Sequence, residues 1–239
     1  MNELIPRDIE IRIRDHLTSF LARKIQAVRE ISVADMEMNP FFIAAIRTQL
    51  AMKTQHDLAE WLVRQRVERS TVTGFGNTLQ NIAKEFCHEK PLTNLTAKMI
   101  RDGKTYNLII KSGPNHNTHV ASGIQRSLLN SKKIEPDSVP VFGMCYGSRD
   151  SVGTIVKKYA GDIKQSVGKE FWEFVSRDAD CYGQILKIAD EVGKHYKDSM
   201  GNSLDQAMEQ KIEYVAKELE KSYGRDLDVF WKNVVEDMY

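Results

Sequence analysis

Ile9, Ile13, Leu17, Leu21, Ile25 and Val28 recur at helical spacing and predict an amphipathic first helix. Its other face carries Arg12, Arg14, Arg23, Lys24 and Arg29, which read as a solvated face. Asn39-Pro40 reads as a helix start, with Asn as N-cap and Pro at the first helical position. The stretch it opens, FFIAAIRTQLAM, is nearly all apolar and is expected to be buried. Residues 54–68 predict another amphipathic helix with Leu58, Trp61, Leu62 and Val67 inward. Residues 70–76, STVTGFG, then predict a glycine-bearing turn ahead of a helix over 77–86. Backbone amides at such a helix start favour phosphate, but from local sequence alone a plain loop with a helix cap is the favoured reading.

The period changes to two in the middle of the chain. Arg101-Asp102-Gly103-Lys104 is a tight-turn signal between strands over 94–100 and 105–111. In the second strand Tyr106, Leu108 and Ile110 alternate with Asn107, Ile109 and Lys111, so Lys111 shares a face with Ile109 and Asn107. A helix is predicted over 118–129. VPVFGMCY, 139–146, is apolar on both faces and reads as a central strand. Two strands joined by a helix form a unit that is right-handed if they are parallel. An edge strand is expected over 152–159, and a short helix opens at 167–172. Helices follow over 181–196 and 204–223. Leu227, Phe230, Trp231, Val234 and Val235 mark a last amphipathic segment. The pattern predicts an α/β fold: a central mixed sheet flanked by helices, with a helical N-terminal arm and C-terminal helices.

With 239 residues and no repeat, low-complexity tract or clear linker, one domain over 1–239 is expected. A net charge of +1 argues neither for nor against nucleic acid, since a basic face can be offset by an acidic one. No apolar run approaches membrane-spanning length, and the N-terminus lacks a signal-peptide core. Cys87, Cys145 and Cys181, with no CxxC, suggest a reducing, cytoplasmic location. Cys87 with His88, and His116 with His119, give poor zinc spacing. Trp61, Trp172, Trp231 and Cys145 read as core.

Six segments occur together in order: Asn39-Pro40-Phe41, Thr73-Gly74-Phe75-Gly76, Lys111-Ser112-Gly113, Tyr146-Gly147, Gly168-Lys169-Glu170-Phe171-Trp172 and Val215-Ala216-Lys217. This order resembles type II restriction endonucleases of the PD-(D/E)xK superfamily that cut GGNCC-type sites. The resemblance implies a homodimer acting on a short palindrome in double-stranded DNA, with Mg²⁺-dependent hydrolysis of one phosphodiester per strand. It makes Lys111 the active-site lysine. Ser112 then contacts phosphate, and Asn115, His116, Asn117, His119 and Arg149 become candidate DNA contacts. Asn117 serves equally as a helix N-cap.

The sequence departs from the motif at its acids. The residue two before Lys111 is Ile109, which cannot ligate a metal. The aspartate's place falls at Asn94, and an acid from the preceding helix would fall at Gln80; both are neutral amides. An amide carbonyl binds Mg²⁺ without the charge that makes the site tight. Three explanations are open: an enzyme neutralised by substitution, a nuclease fold that binds DNA without cutting, or a site in which Glu85, Glu89 or Asp102 supplies the acid. A helical interaction protein with no nucleic-acid role stands behind these.

Overall fold

The computed structural model describes residues 5–36, 39–160, 163–225 and 227. The chain divides into two compact units, Met1–Ser19 with Gly74–His195, and Phe20–Thr73 with Tyr196–Tyr239. Two long helices, α1 (Arg7–Glu30) and α3 (Gln55–Lys84), contribute residues to both.

The first unit is built on a four-stranded sheet in the order β1 (Ala97–Arg101), β2 (Lys104–Lys111), β3 (Val139–Met144), β4 (Lys164–Val167). β1 and β2 are antiparallel, while β2–β3 and β3–β4 are parallel, so the sheet is mixed as expected. Asp102 and Gly103 both adopt positive φ, at 50° and 72°, which gives the two-residue turn a twist matching its flanking strands. Parallel β2 and β3 need a crossover, supplied by α4 (Thr118–Ile134). One sheet face packs Ile109, Phe142 and Met144 against Ile124 and Leu128 of α4 and Val156 of α5 (Thr154–Ala160). On β3, Gly143 leaves room for the Phe171 ring of α6 (Lys169–Ser176). Trp172 of α6 is fully buried and donates its indole N–H to the Cys145 carbonyl at 2.7 Å. α7 (Cys181–His195) completes this unit.

The second unit is helical. Its core joins Ile25 and Val28 of α1, Leu58, Leu62 and Val67 of α3, and Ile212, Val215 and Leu219 of α8 (Leu204–Tyr223). Ser203 and Gln206 close a reciprocal cap at the start of α8. Leu227 is buried in the same core; Phe230, Trp231, Val234 and Val235 lie outside the described residues.

Four expectations are corrected. Residues 70–76 are not a turn: α3 runs straight through them. Thr71, Thr73 and Thr78 bond back to the carbonyls of Val67, Arg69 and Gly74, which ties their hydroxyls to the helix. The expected edge strand over 152–159 is largely α5, because Val156 and Ala160 are buried at a spacing of one turn. β1 begins at Ala97 rather than 94, although the Thr96 amide still reaches the Leu108 carbonyl. Finally α2 (Pro40–Arg47) is mostly exposed: Phe41 and Phe42 retain 77% and 47% of their surface, and among its residues of described burial only Ile43 is buried. Its capping is as expected, with the Asn39 side chain accepting from the Phe42 amide.

Candidate functional site

β2 ends in Lys111, and pairing with the chain after β3 continues two residues further. The Cys145 amide donates to the Lys111 carbonyl and the Tyr146 amide to that of Ser112, both at 3.0 Å. The loop from Ser112 to Asn117 is then packed at successive positions. A Cβ on Gly76 would lie 2.9 Å from the Ser112 hydroxyl, so α3 passes close to that side chain. Gly113 lies against the Tyr146 ring and Pro114 against Gly147. The Asn115 carboxamide oxygen would be 2.8 Å from a Cβ on Gly153. Asn117 caps α4, its side chain accepting from the Val120 amide at 2.9 Å. The glycines at 76, 113 and 147 therefore let this loop sit close to its surroundings, which explains why they punctuate the sequence here.

His116 is the least expected member. Its ring packs 5.9 Å from that of Phe142, and its Nε2 is shielded from solvent with no hydrogen-bond partner. Burial holds its pKa below the usual histidine value, and the charge of Lys111 adds to the effect, against a hydrogen bond to the Gly113 backbone. The imidazole is thus neutral in the folded protein near pH 7. Because its folded pKa lies below its unfolded one, its contribution is fully present above about pH 6.5 and is lost as pH falls through the folded value. Thermal unfolding between pH 5 and 8 should show a smaller acid-side loss for His116→Gln than for the parent chain. Identical pH profiles would count against a buried neutral imidazole.

The remaining candidates separate. Asn115 and His119 are exposed beside the loop, and Ser112 is half-buried. Arg149 is exposed and held in a two-pronged ion pair with Glu170, at 2.6 and 3.0 Å. Gln80 turns its amide toward its own helix, donating to the Gly76 carbonyl at 3.3 Å. Asn94 lies outside β1, in a turn at φ 70°, and is exposed. It shares a cleft with Leu92, Arg126, Asn130 and Lys133, so its polar neighbours include two cations and no acid.

The acids that sequence left in contention are engaged elsewhere or remote from Lys111. Glu85 pairs with Arg12 at 2.8 Å and with His16 at 2.7 Å. Asp102 sits at the hairpin tip beside Arg177. Glu89 is exposed and bridges by its backbone to Lys98. Ile109, at the motif's second acid position, is 6% exposed and belongs to the apolar cluster against which Leu95 and Val120 also pack. Among the described residues no three His, Cys, Asp or Glu side chains gather as a metal site. Burial pushes the thiols of Cys87 and Cys145 up to about 12 and that of Cys181 to about 11, which disfavours the reactive thiolate.

The hydrophobic pattern gives no warning of a buried polar group in the middle of β2. Asn107 is fully buried and donates to Glu135 and Ser138, while Glu135 also pairs with Lys98 at 2.5 Å. Lys98 and Asn107 face each other in the β1–β2 register, and that pairing was the available signal. The network pins the end of α4 to the start of the hairpin.

The site is thus a lysine at the end of an inner strand, a glycine-packed loop, and a capped helix. A search of curated proteins finds none that matches the chain. The family described as type II restriction endonuclease EcoO109I matches residues 7–197, most of its length, including every element of the site. The chain belongs to that type II restriction endonuclease family.

Proposed function

We propose that this chain binds double-stranded DNA as a homodimer at a short palindromic site of the GGNCC type, and that it is a disabled form of a Mg²⁺-dependent, cytoplasmic endonuclease. Its family is one of DNA-cleaving enzymes. The observation that carries the disabled reading is Ile109, which stands two residues before Lys111 and is buried among apolar side chains. Mg²⁺ takes hard oxygen ligands and keeps several waters, so a site needs at least a carboxylate or two facing the phosphate. Here Ile109 offers none, Asn94 shares its cleft with Arg126 and Lys133, and Glu85 is engaged by Arg12 and His16. The residues present do not fit the metal.

What remains is suited to holding DNA. Lys111 carries a positive charge at the end of β2, the expected place for a scissile phosphate in this family. The residues after it, Ser112, Asn115 and His119, offer donors and acceptors to a backbone or a groove. A two-fold dimer follows from the palindrome, because each half-site then meets the same surface. Among the described residues no helix is long and apolar enough to cross a membrane.

The test is binding of GGNCC-containing and scrambled duplexes across a salt series. The logarithm of affinity should fall linearly with the logarithm of salt concentration, with the GGNCC duplex bound more tightly. Lys111→Ala should weaken both duplexes and reduce the salt slope by about 1, the signature of a lost phosphate contact. Absence of salt-dependent binding to either duplex would remove the DNA reading altogether.

A further inference from the structure

We propose that Lys24 and Ser70 form a phosphate-binding subsite in the helical unit, separate from the Lys111 loop. With DNA as the ligand it takes a backbone phosphate, and to that extent it rests on the DNA-binding reading above.

Lys24 was expected on the solvated face of α1. Instead it is 7% exposed, and its ammonium donates to the Ser70 hydroxyl of α3 at 2.6 Å. Ser70 in turn donates to the Val67 carbonyl at 3.1 Å, so its oxygen is turned to receive the lysine. An ammonium has three N–H donors, and a serine oxygen uses one of them. No carboxylate among the described residues pairs with Lys24, and burial alone lowers its pKa, with no nearby charge contributing. Burying a charge without a counter-charge is costly, so such groups are normally paired.

Two arginines of this unit are paired with carboxylates. Arg29 meets Asp198, and Arg64 meets Glu60 and Glu209. Lys211, less buried than Lys24, also has a neutral partner, the Ile31 carbonyl, but lies over the Tyr214 ring as well. Among the described residues Lys24 has only a neutral hydroxyl as partner. Ser70 itself is exposed, which opens this polar pair to solvent. Arg23 and Arg69, each preceding one member of the pair, are exposed and carry no ion pair among the described residues. In this proposal the counter-charge that the described residues lack comes from a ligand. It must be an anion with several acceptor oxygens, able to take the free ammonium donors and the guanidinium field together. A phosphate group has that chemistry.

The experiment uses the full chain, Lys24→Met and Ser70→Ala, with two probes: inorganic phosphate in thermal unfolding, and duplex DNA across a salt series. Phosphate should raise the parent's melting temperature and raise it less in both variants, since a ligand stabilises only the state that binds it. Without phosphate, Lys24→Met should be at least as stable as the parent, because it keeps the aliphatic stem and removes an unpaired buried charge. On duplex DNA it should reduce the salt slope by about 1 and weaken binding by roughly threefold to tenfold at low salt. Loss of the phosphate effect with an unchanged DNA slope would assign the subsite to a free phosphate rather than to the backbone. An unaltered phosphate response in both variants would overturn it, as would strong destabilisation of Lys24→Met without phosphate. If the parent itself fails to bind duplex, the DNA reading falls, and the phosphate arm still decides the subsite.

Discussion

Plasmid DNA incubated with this chain and Mg²⁺ is expected to remain supercoiled, and neither Asn94→Asp nor Ile109→Glu alone should change that. An aspartate at 94 would enter a cleft shared with Arg126 and Lys133, where a carboxylate is drawn to the cations and not held open for a metal. It would also act alone, because Ile109 supplies no second oxygen. A glutamate at 109 would be placed among Leu128, Phe142 and Met144, whose packing leaves it 6% of its surface. An unpaired carboxylate there costs about 3 kcal/mol or more, so Ile109→Glu should lower the melting temperature before it gains any chemistry. Gel assays over hours, with melting curves for each variant, check both parts. Discrete fragments from the parent would mean that an acid reaches Lys111 from elsewhere. Fragments from Asn94→Asp alone would mean that the turn at 94 does serve the lysine and that one carboxylate suffices.

The hydrophobic pattern carried most of the helical scaffold, because α1, α7 and α8 bury a single stripe and alternate cleanly with polar residues. α8 appears over the residues its period marks, Leu204–Tyr223. The hairpin was legible from Asp102-Gly103, since few residues other than these tolerate positive φ at both turn positions. The failures have local causes. STVTGFG reads as a loop because threonine and glycine are poor helix formers, yet α3 is fixed by contacts on both sides of that stretch and simply continues. Residues 152–160 mix β-branched residues with lysines, and the two periods are hard to separate over so short a run. For α2, apolar composition without a period does not say which face is covered, and Phe41 is outward. The place of Lys111 at the end of a strand and the Asn117 cap followed from neighbouring residues alone. The shielding of His116 by Phe142 and the burial of Lys24 depend on partners 26 and 46 residues away, which no local pattern encodes.

Gly168→Ala is expected to be strongly damaging for a change that adds a single methyl group. Gly168 follows β4 and opens α6 at φ 55° and ψ −125°, a conformation essentially reserved for glycine. A Cβ there would lie 2.2 Å from the Gly147 carbonyl oxygen, a backbone atom that no side-chain rotation can move away. Gly168 is also tied on both sides: its amide donates to the Met144 carbonyl at 2.9 Å, and its own carbonyl accepts from Trp172 at 3.1 Å. Relief of the clash must therefore displace the end of β3 or the start of α6. Backbone strain and overpacking together should cost about 3 kcal/mol or more. For a chain of this size that is a fall of roughly 6–12 °C in melting temperature. Gly123→Ala and Gly193→Ala supply the contrast. Both sit inside helices with nothing within 4 Å of the added carbon, so each should stabilise by about 0.5–1 kcal/mol. If all three variants melt together, the close approach of Gly168 to Gly147 is wrong. If Gly168→Ala alone falls, and loses duplex binding at temperatures where it is still folded, then the β4–α6 corner also holds the residues after β3 in place beside Lys111.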